Sequence, residues 1–67
     1  MENETIYNTI KEIVNARSYK YVMFRGFGMA MAEFENIWAN REGEVLSVNH
    51  SDAYSVVETE LGEFKAF

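Results

Sequence analysis

The sequence predicts an α+β fold in which one N-terminal helix packs on an antiparallel β-meander of three to four strands. Three observations lead to this class. An apolar stripe of helical period occupies residues 4–17, aromatic and β-branched residues recur in short runs from residue 19 onward, and polar segments separate those runs. The chain has 67 residues and no proline, so we expect one compact domain over residues 1–67.

The helix is predicted from apolar residues that return every three to four positions. They are Ile6, Ile10, Ile13 and Val14. Asn3 or Thr5 can cap the first turn, where Glu4 also suits the positive end of the helix dipole. Arg17 suits the negative end, and Ser18 interrupts the pattern. We therefore expect a helix over residues 4–17.

Residues 19–25 are aromatic and β-branched, which favours a strand. Gly26 and Gly28 then bracket Phe27, a pattern typical of a bulge or a tight turn. We expect Phe27 to be buried there.

Residues 29–40 fit two structures. A helix would place Phe34 and Trp38 on one face, whereas a strand would align Glu33 and Glu35 on one side. We favour the strand because residues 40–43, Asn-Arg-Glu-Gly, suit a hairpin loop and residues 44–48 suit a returning strand.

The C-terminal part predicts one more strand. Residues 49–52 form a polar turn, residues 54–61 contain Val56, Val57 and Thr59, and Gly62 would end the element. The rival is a helix over residues 52–61. Taken with a helix over residues 29–40, it would leave a smaller sheet.

The charge is unevenly distributed. The net charge is −5, and residues 26–67 contain only two bases, Arg41 and Lys65. The acids of that segment are Glu33, Glu35, Glu42, Glu44, Asp52, Glu58, Glu60 and Glu63. This excess argues against nucleic acid and anionic membranes as partners, because both are bound through Lys and Arg. It favours a cationic partner.

Composition also bears on location and cofactors. There is no cysteine and one histidine, so we expect neither a disulfide nor a metal site, and no cofactor. The N-terminus is acidic and no apolar run is long enough to span a bilayer. A cytoplasmic protein is therefore predicted.

Catalysis is not predicted. His50 lies between Asn49, Ser51 and Asp52, but such residues commonly form backbone hydrogen bonds in turns, and proximity in sequence does not create a triad. Carboxylate pairs are plentiful, yet none stands out, and a chain this short hardly encloses a substrate pocket.

The segment Arg25-Gly26-Phe27-Gly28 resembles the opening of the RNP1 motif of RNA-recognition domains. The likeness covers four residues. Met29, Ala30 and Ala32 stand where that motif requires aromatic and aliphatic residues, so the base-stacking platform it implies is not expected.

The acids suggest a binding surface instead. In strands, Glu33 with Glu35 and Glu58 with Glu60 would each share a face at a spacing of about 6.6–6.8 Å. Carboxylates on adjacent strands would then approximate the charge density of a DNA backbone. We predict a contact set of Glu33, Glu35, Glu42, Glu44, Glu58 and Glu60. The alternative is an acidic face that serves solubility alone.

In size and charge the chain resembles small acidic bacteriophage host-takeover proteins, several of which are DNA mimics. This resemblance implies a non-enzymatic inhibitor, in the host cytoplasm if phage-encoded. It would bind a basic DNA-binding protein of the host, such as the nucleoid protein HU or the transcription machinery.

The ten aromatic residues support an alternative function. They are many for so small an interior, so some are expected to meet another chain, and a homodimer is predicted. The alternative is a protein–protein interaction module that binds through exposed aromatics. That set would comprise Tyr19, Tyr21, Phe24, Phe64 and Phe67.

Overall fold

The protein forms two helices and five strands over residues 5–67, the part that the structure, a computed structural model, describes. In chain order they are α1 (Ile6–Arg17), β1 (Tyr21–Phe24), β2 (Phe27–Ala30), α2 (Met31–Trp38), β3 (Val45–His50), β4 (Ser55–Thr59) and β5 (Gly62–Ala66). The α+β class is confirmed. The sheet has five strands rather than three to four, and a second helix is present.

Helix α1 confirms the first prediction. The hydroxyl oxygen of Thr5 accepts a hydrogen bond from the Asn8 N–H at 3.1 Å, and Arg17 lies in the last turn. Ser18 ends the helix in the left-handed conformation, with φ of 59°. The other predicted cap, Asn3, and Glu4 lie outside the described residues. Thr5 thus satisfies one of the free N–H groups of the first turn.

Residues 31–38 are helical, so the strand predicted over residues 29–40 is wrong beyond Ala30. Met29 pairs with Val22 in the sheet, and α2 begins immediately afterwards. Phe34 and Trp38, four residues apart, share the buried face of α2. Helical period therefore buries both large rings, and Met, Ala and Glu also favour helix.

The connection from α2 to β3 also differs from the prediction. Residues 39–44 join a helix to a strand, so residues 40–43 are not a hairpin loop. The returning strand expected at residues 44–48 is confirmed as β3, and the strand expected at residues 54–61 as β4. The rival helix over residues 52–61 is wrong.

All neighbouring strands are antiparallel, in the order β2-β1-β5-β4-β3. Strands β3, β4 and β5 form a meander, and the β1–β2 hairpin adds to it through β1 and β5. The chain therefore crosses from one sheet edge to the other through α2. Gly62, predicted to end the last element, instead begins β5, the central strand.

The β1–β2 hairpin turns at Arg25 and Gly26, which both have positive φ, 54° and 84°. Positive φ at both central residues is typical of a type I′ turn, whose twist matches that of the strands. Of the two predicted alternatives, the tight turn is present and the bulge is not, because the pairing of β1 with β2 is regular. The predicted burial of Phe27 is wrong, because its side chain is 73% exposed.

Both helices pack on one face of the sheet and share one core. An aromatic cluster lies at its centre, with Phe64 ring centroids 4.1 Å from Phe24, 5.1 Å from Trp38 and 6.1 Å from Phe34. No helix among residues 5–67 packs on the other face. Neither helix of that range is long and apolar enough to cross a membrane.

Candidate functional site

Two carboxylates project side by side from the uncovered face of the sheet. Glu58 on β4 and Glu63 on β5 are direct cross-strand partners. Their neighbours Val57 and Phe64 are fully buried under the helices, and side chains alternate along a strand, so both acids point the other way. Like charges directly opposite one another oppose folding, which makes this pair a poor choice for stability alone.

Two further acids lie at the same end of the sheet. The Glu44 N–H donates to Glu60 Oε2 at 2.9 Å, and the Glu60 N–H donates to the Glu44 carbonyl at 3.0 Å. The Ser47 hydroxyl donates to Glu58 Oε1 at 3.2 Å. These bonds restrain the carboxylates of Glu58 and Glu60 while leaving both residues exposed.

The turn that places these acids is held by side chains as well as by backbone. Thr59 Oγ1 donates to the Gly62 carbonyl at 2.8 Å and accepts from the Leu61 N–H at 3.1 Å. Arg25 Nη2 donates to the Leu61 carbonyl at 3.2 Å. Gly62 has φ of 136°, a conformation that disfavours any larger residue. Glu60 therefore sits on a restrained two-residue turn.

We call the four residues Glu44, Glu58, Glu60 and Glu63 the acidic edge. The structure brings together three members of the predicted contact set and adds Glu63. Glu42 is exposed in the connection before β3. The predicted strand ladder of Glu33 and Glu35 is wrong, because both lie on α2, where residues two apart point about 200° apart. The predicted set is therefore divided between the helix and the sheet.

Glu63 is absent from the predicted contact set because Gly62 is predicted to end the last element, whereas β5 begins there. A signal was present in the sequence. Residues 63–67, Glu-Phe-Lys-Ala-Phe, alternate polar and apolar, which is the period of a half-buried strand. A two-residue turn at residues 60–61 would then have placed Glu63 opposite Glu58.

Aromatic side chains occupy another part of the same uncovered face. The rings of Tyr21 and Phe67 lie 6.0 Å apart, and Lys65 Nζ lies 4.4 Å from the centre of the Tyr54 ring. We call Tyr21, Tyr54 and Phe67 the aromatic face. Of the predicted aromatic set, Tyr21 and Phe67 belong to it.

The other members of that set are occupied within the fold. Phe64 is fully buried, and Phe24 stacks on it in the core. Tyr19 is half-buried with its hydroxyl 3.2 Å from Ser55 Oγ. These three side chains therefore stabilise the domain and offer little surface to a partner.

His50 has a structural partner. Its Nδ1 lies 2.8 Å from Ser55 Oγ, which is also bonded to the Tyr19 hydroxyl. Ser55 is fully buried, so its hydroxyl is out of reach of a substrate and its hydrogen bonds offset its burial. Within residues 5–67 no group of three or more His, Cys, Asp or Glu side chains is placed to hold a metal ion.

Compared with family models, with curated proteins and with solved structures, the chain matches none of them.

Proposed function

We propose that the protein is a non-enzymatic inhibitor that binds a basic DNA-binding protein through its acidic edge, in place of DNA phosphates. The single observation that carries the proposal is the pairing of Glu58 with Glu63 on an uncovered face, beside the mutually bonded Glu44 and Glu60. Four glutamates at one end of a small sheet, two of them with hydrogen-bonded carboxylates, resemble a short run of backbone charge.

The hydrogen bonds that restrain the carboxylates support binding, in addition to their charge. An exposed glutamate normally loses rotamer freedom when it meets a cation, and this loss weakens the contact. Here, hydrogen bonds from Ser47 and from the Glu44 N–H already limit Glu58 and Glu60. Less freedom remains to be lost on binding. Attraction between the negative edge and a basic groove would also speed association.

The first experiment titrates salt. Purified nucleoid protein HU serves as the probe, and a labelled DNA duplex competes with this protein for HU. We expect this protein to displace DNA from HU at low salt. The affinity of this protein for HU should fall at least about tenfold between about 50 and 300 mM NaCl. Binding that is indifferent to salt would contradict the electrostatic mechanism, and an absence of binding would exclude HU as the partner.

The second experiment locates the surface with two variants of equal net charge. Glu58→Gln/Glu60→Gln neutralises two members of the acidic edge, whereas Glu33→Gln/Glu35→Gln neutralises two acids on α2. The glutamine carbonyl still accepts hydrogen bonds, so the contacts from Ser47 and Glu44 can persist. We expect roughly tenfold weaker binding for the first variant and a much smaller change for the second. Equal losses would indicate a net-charge effect without a specific surface.

The contact between Tyr21 and Phe67 on the uncovered face favours a second candidate, an interaction module that binds through the aromatic face. Aromatic side chains dominate interface energies when a partner buries them. This candidate predicts affinity that varies little with salt and a loss of at least about tenfold in Tyr21→Ala or Phe67→Ala. Phe27→Ala is the control, because Phe27 is more exposed and lies at the β1–β2 hairpin.

A further inference from the structure

Strand β3 is an edge of the sheet with few features that block pairing. It runs Val45–His50, Val-Leu-Ser-Val-Asn-His, and among residues 5–67 it pairs with β4 alone. It contains no proline, Lys, Arg, Asp or Glu. Natural edge strands are usually protected by such residues, by bulges or by brevity. At six residues, β3 is longer than the other edge strand, β2.

Strand β3 has one of these protective features, a bulge, and it is local. The register with β4 shifts between Val45 and Ser47, which marks a bulge at Leu46. From Ser47 to His50 the pairing with β4 is regular. On the side away from β4, this regular stretch therefore presents backbone N–H and C=O groups that can pair with another strand.

Apolar side chains of β3 are also exposed. Leu46 is 60% exposed and Val48 is 37% exposed. Val48 pairs with the buried Val57, so it points to the helix-covered side of the sheet. The helices, however, pack chiefly on β1, β2, β4 and β5. The covered side is thus incompletely filled at the β3 edge.

We propose that a second copy of this chain occupies this edge, with the two β3 strands antiparallel about a two-fold axis at Val48. In this register Val48 meets the partner's Val48, and Ser47 meets the partner's Asn49. The two Val48 side chains then face each other on the helix side, and the small polar side chains of Ser47 and Asn49 face each other on the uncovered side. Self-complementarity of this kind is what a two-fold interface requires.

A foreign strand would need an apolar residue opposite Val48 and small polar residues beside it. A second copy of this chain has these residues in its own β3. The pairing joins two five-stranded sheets into one of ten strands and removes both β3 edges. Because the joined region is short, the dimer is expected to dissociate on dilution.

Such a dimer would extend the acidic surface, although the inference does not depend on the proposed function. A two-fold axis perpendicular to the sheet keeps both uncovered faces on the same side. Three strand spacings and a two-residue offset then separate Glu58 from the partner's Glu58, a distance of about 16 Å. Both acidic edges would be presented to one partner molecule.

Disulfide trapping tests the register. The chain contains no cysteine, so Val48→Cys introduces a single thiol. Directly opposed residues have Cα atoms about 4.5–5.5 Å apart, within the range that a disulfide spans. We expect Val48→Cys to give a covalent dimer under mild oxidation. Asn49→Cys is the control, because its Cα atom would lie about 8 Å from that of the partner's residue 49, which is too far to bridge.

Sedimentation gives a second measurement that needs no cysteine. We expect the unmodified protein to pass from monomer to dimer as its concentration rises. Val48→Lys would place two ammonium groups opposite each other and weaken the dimer at least tenfold. Ile37→Lys is the matched control at similar exposure, 44%, and should leave the dimer unchanged. Circular dichroism verifies that both variants are folded.

Three results would overturn the proposal. They are an unmodified protein that stays monomeric at every concentration, equal trapping of the two cysteine variants, and equal weakening by the two lysine variants. A monomer that instead binds an added foreign strand at β3 would count against self-pairing as well.

Discussion

The rings of Phe24 on β1 and Phe64 on β5 stack with their centroids 4.1 Å apart and their planes 11° apart. These strands belong to the two parts of the sheet that are separate in sequence, the β1–β2 hairpin and the β3–β4–β5 meander. Trp38 of α2 meets both rings edge-on. One cluster therefore joins the hairpin, the meander and the second helix.

Removing the Phe64 ring should unfold the domain or nearly so. Phe64→Ala costs about 3–5 kcal/mol of unfolding free energy, because the ring is fully buried and neighbouring residues cannot fill its place. Domains of this size have little stability to lose. Thermal melts followed by circular dichroism measure the loss. Phe67→Ala, at an exposed ring, should lower the midpoint only slightly, and comparable losses in the two variants would contradict the proposed core.

Relieving the repulsion between Glu58 and Glu63 should stabilise the fold. Glu63→Lys converts a like-charge cross-strand pair into an opposite-charge pair, which is worth about 0.2–1 kcal/mol. Urea denaturation measures the gain. Glu35→Lys makes the same change in net charge on α2 and is expected to give a smaller effect. If the acidic edge binds a cationic partner, Glu63→Lys should weaken that binding while it raises stability.

Gly43 and Gly28 differ in whether the structure has room for a larger residue. A Cβ atom at Gly43 would approach Ile6 Cδ1 to 2.6 Å, and Ile6 is fully buried beneath it. At Gly28 nothing lies within 4 Å of such an atom. We expect Gly43→Ala to cost about 1–3 kcal/mol through overpacking and Gly28→Ala to be nearly neutral or slightly stabilising. Denaturant midpoints decide, and a neutral Gly43→Ala would show that the connection to β3 can move away from α1.

The hydrogen-bonded group of Tyr19, Ser55 and His50 should show coupling. Ser55→Ala leaves the half-buried Tyr19 hydroxyl without this partner and costs about 1–3 kcal/mol. Tyr19→Phe removes that hydroxyl, so it should cost less in the Ser55→Ala background than in the unmodified protein. A double-mutant cycle from urea denaturation measures the difference. Strictly additive costs would indicate that the 3.2 Å contact contributes no stability.

Helix α1 was predictable because its determinants are local. An apolar stripe, a threonine at one end and an interruption at Ser18 all lie within 14 residues, from Thr5 to Ser18. Strand character around β1, β3 and β4 followed from β-branched and aromatic composition. All six glutamates of the predicted contact set are exposed. This follows from their charge alone, since unpaired carboxylates are rarely buried.

The identity of residues 31–38 required tertiary structure. Alternation of Glu33 and Glu35 with apolar neighbours fits a strand, and the spacing of Phe34 and Trp38 fits a helix. The helix prevails because its four-residue spacing directs both rings onto the Phe24–Phe64 stack.

By itself, the sequence determined the α+β class, the position of helix α1 and a negative C-terminal part, since these follow from composition and local period. Strand order, the central place of β5 and the meeting of Glu58 with Glu63 were decided by tertiary structure. The physical reason is that strand pairing depends on contacts between residues far apart in the chain. Local patterns state which segments can pair, but not with which partner, and the acidic edge exists only once that pairing is made.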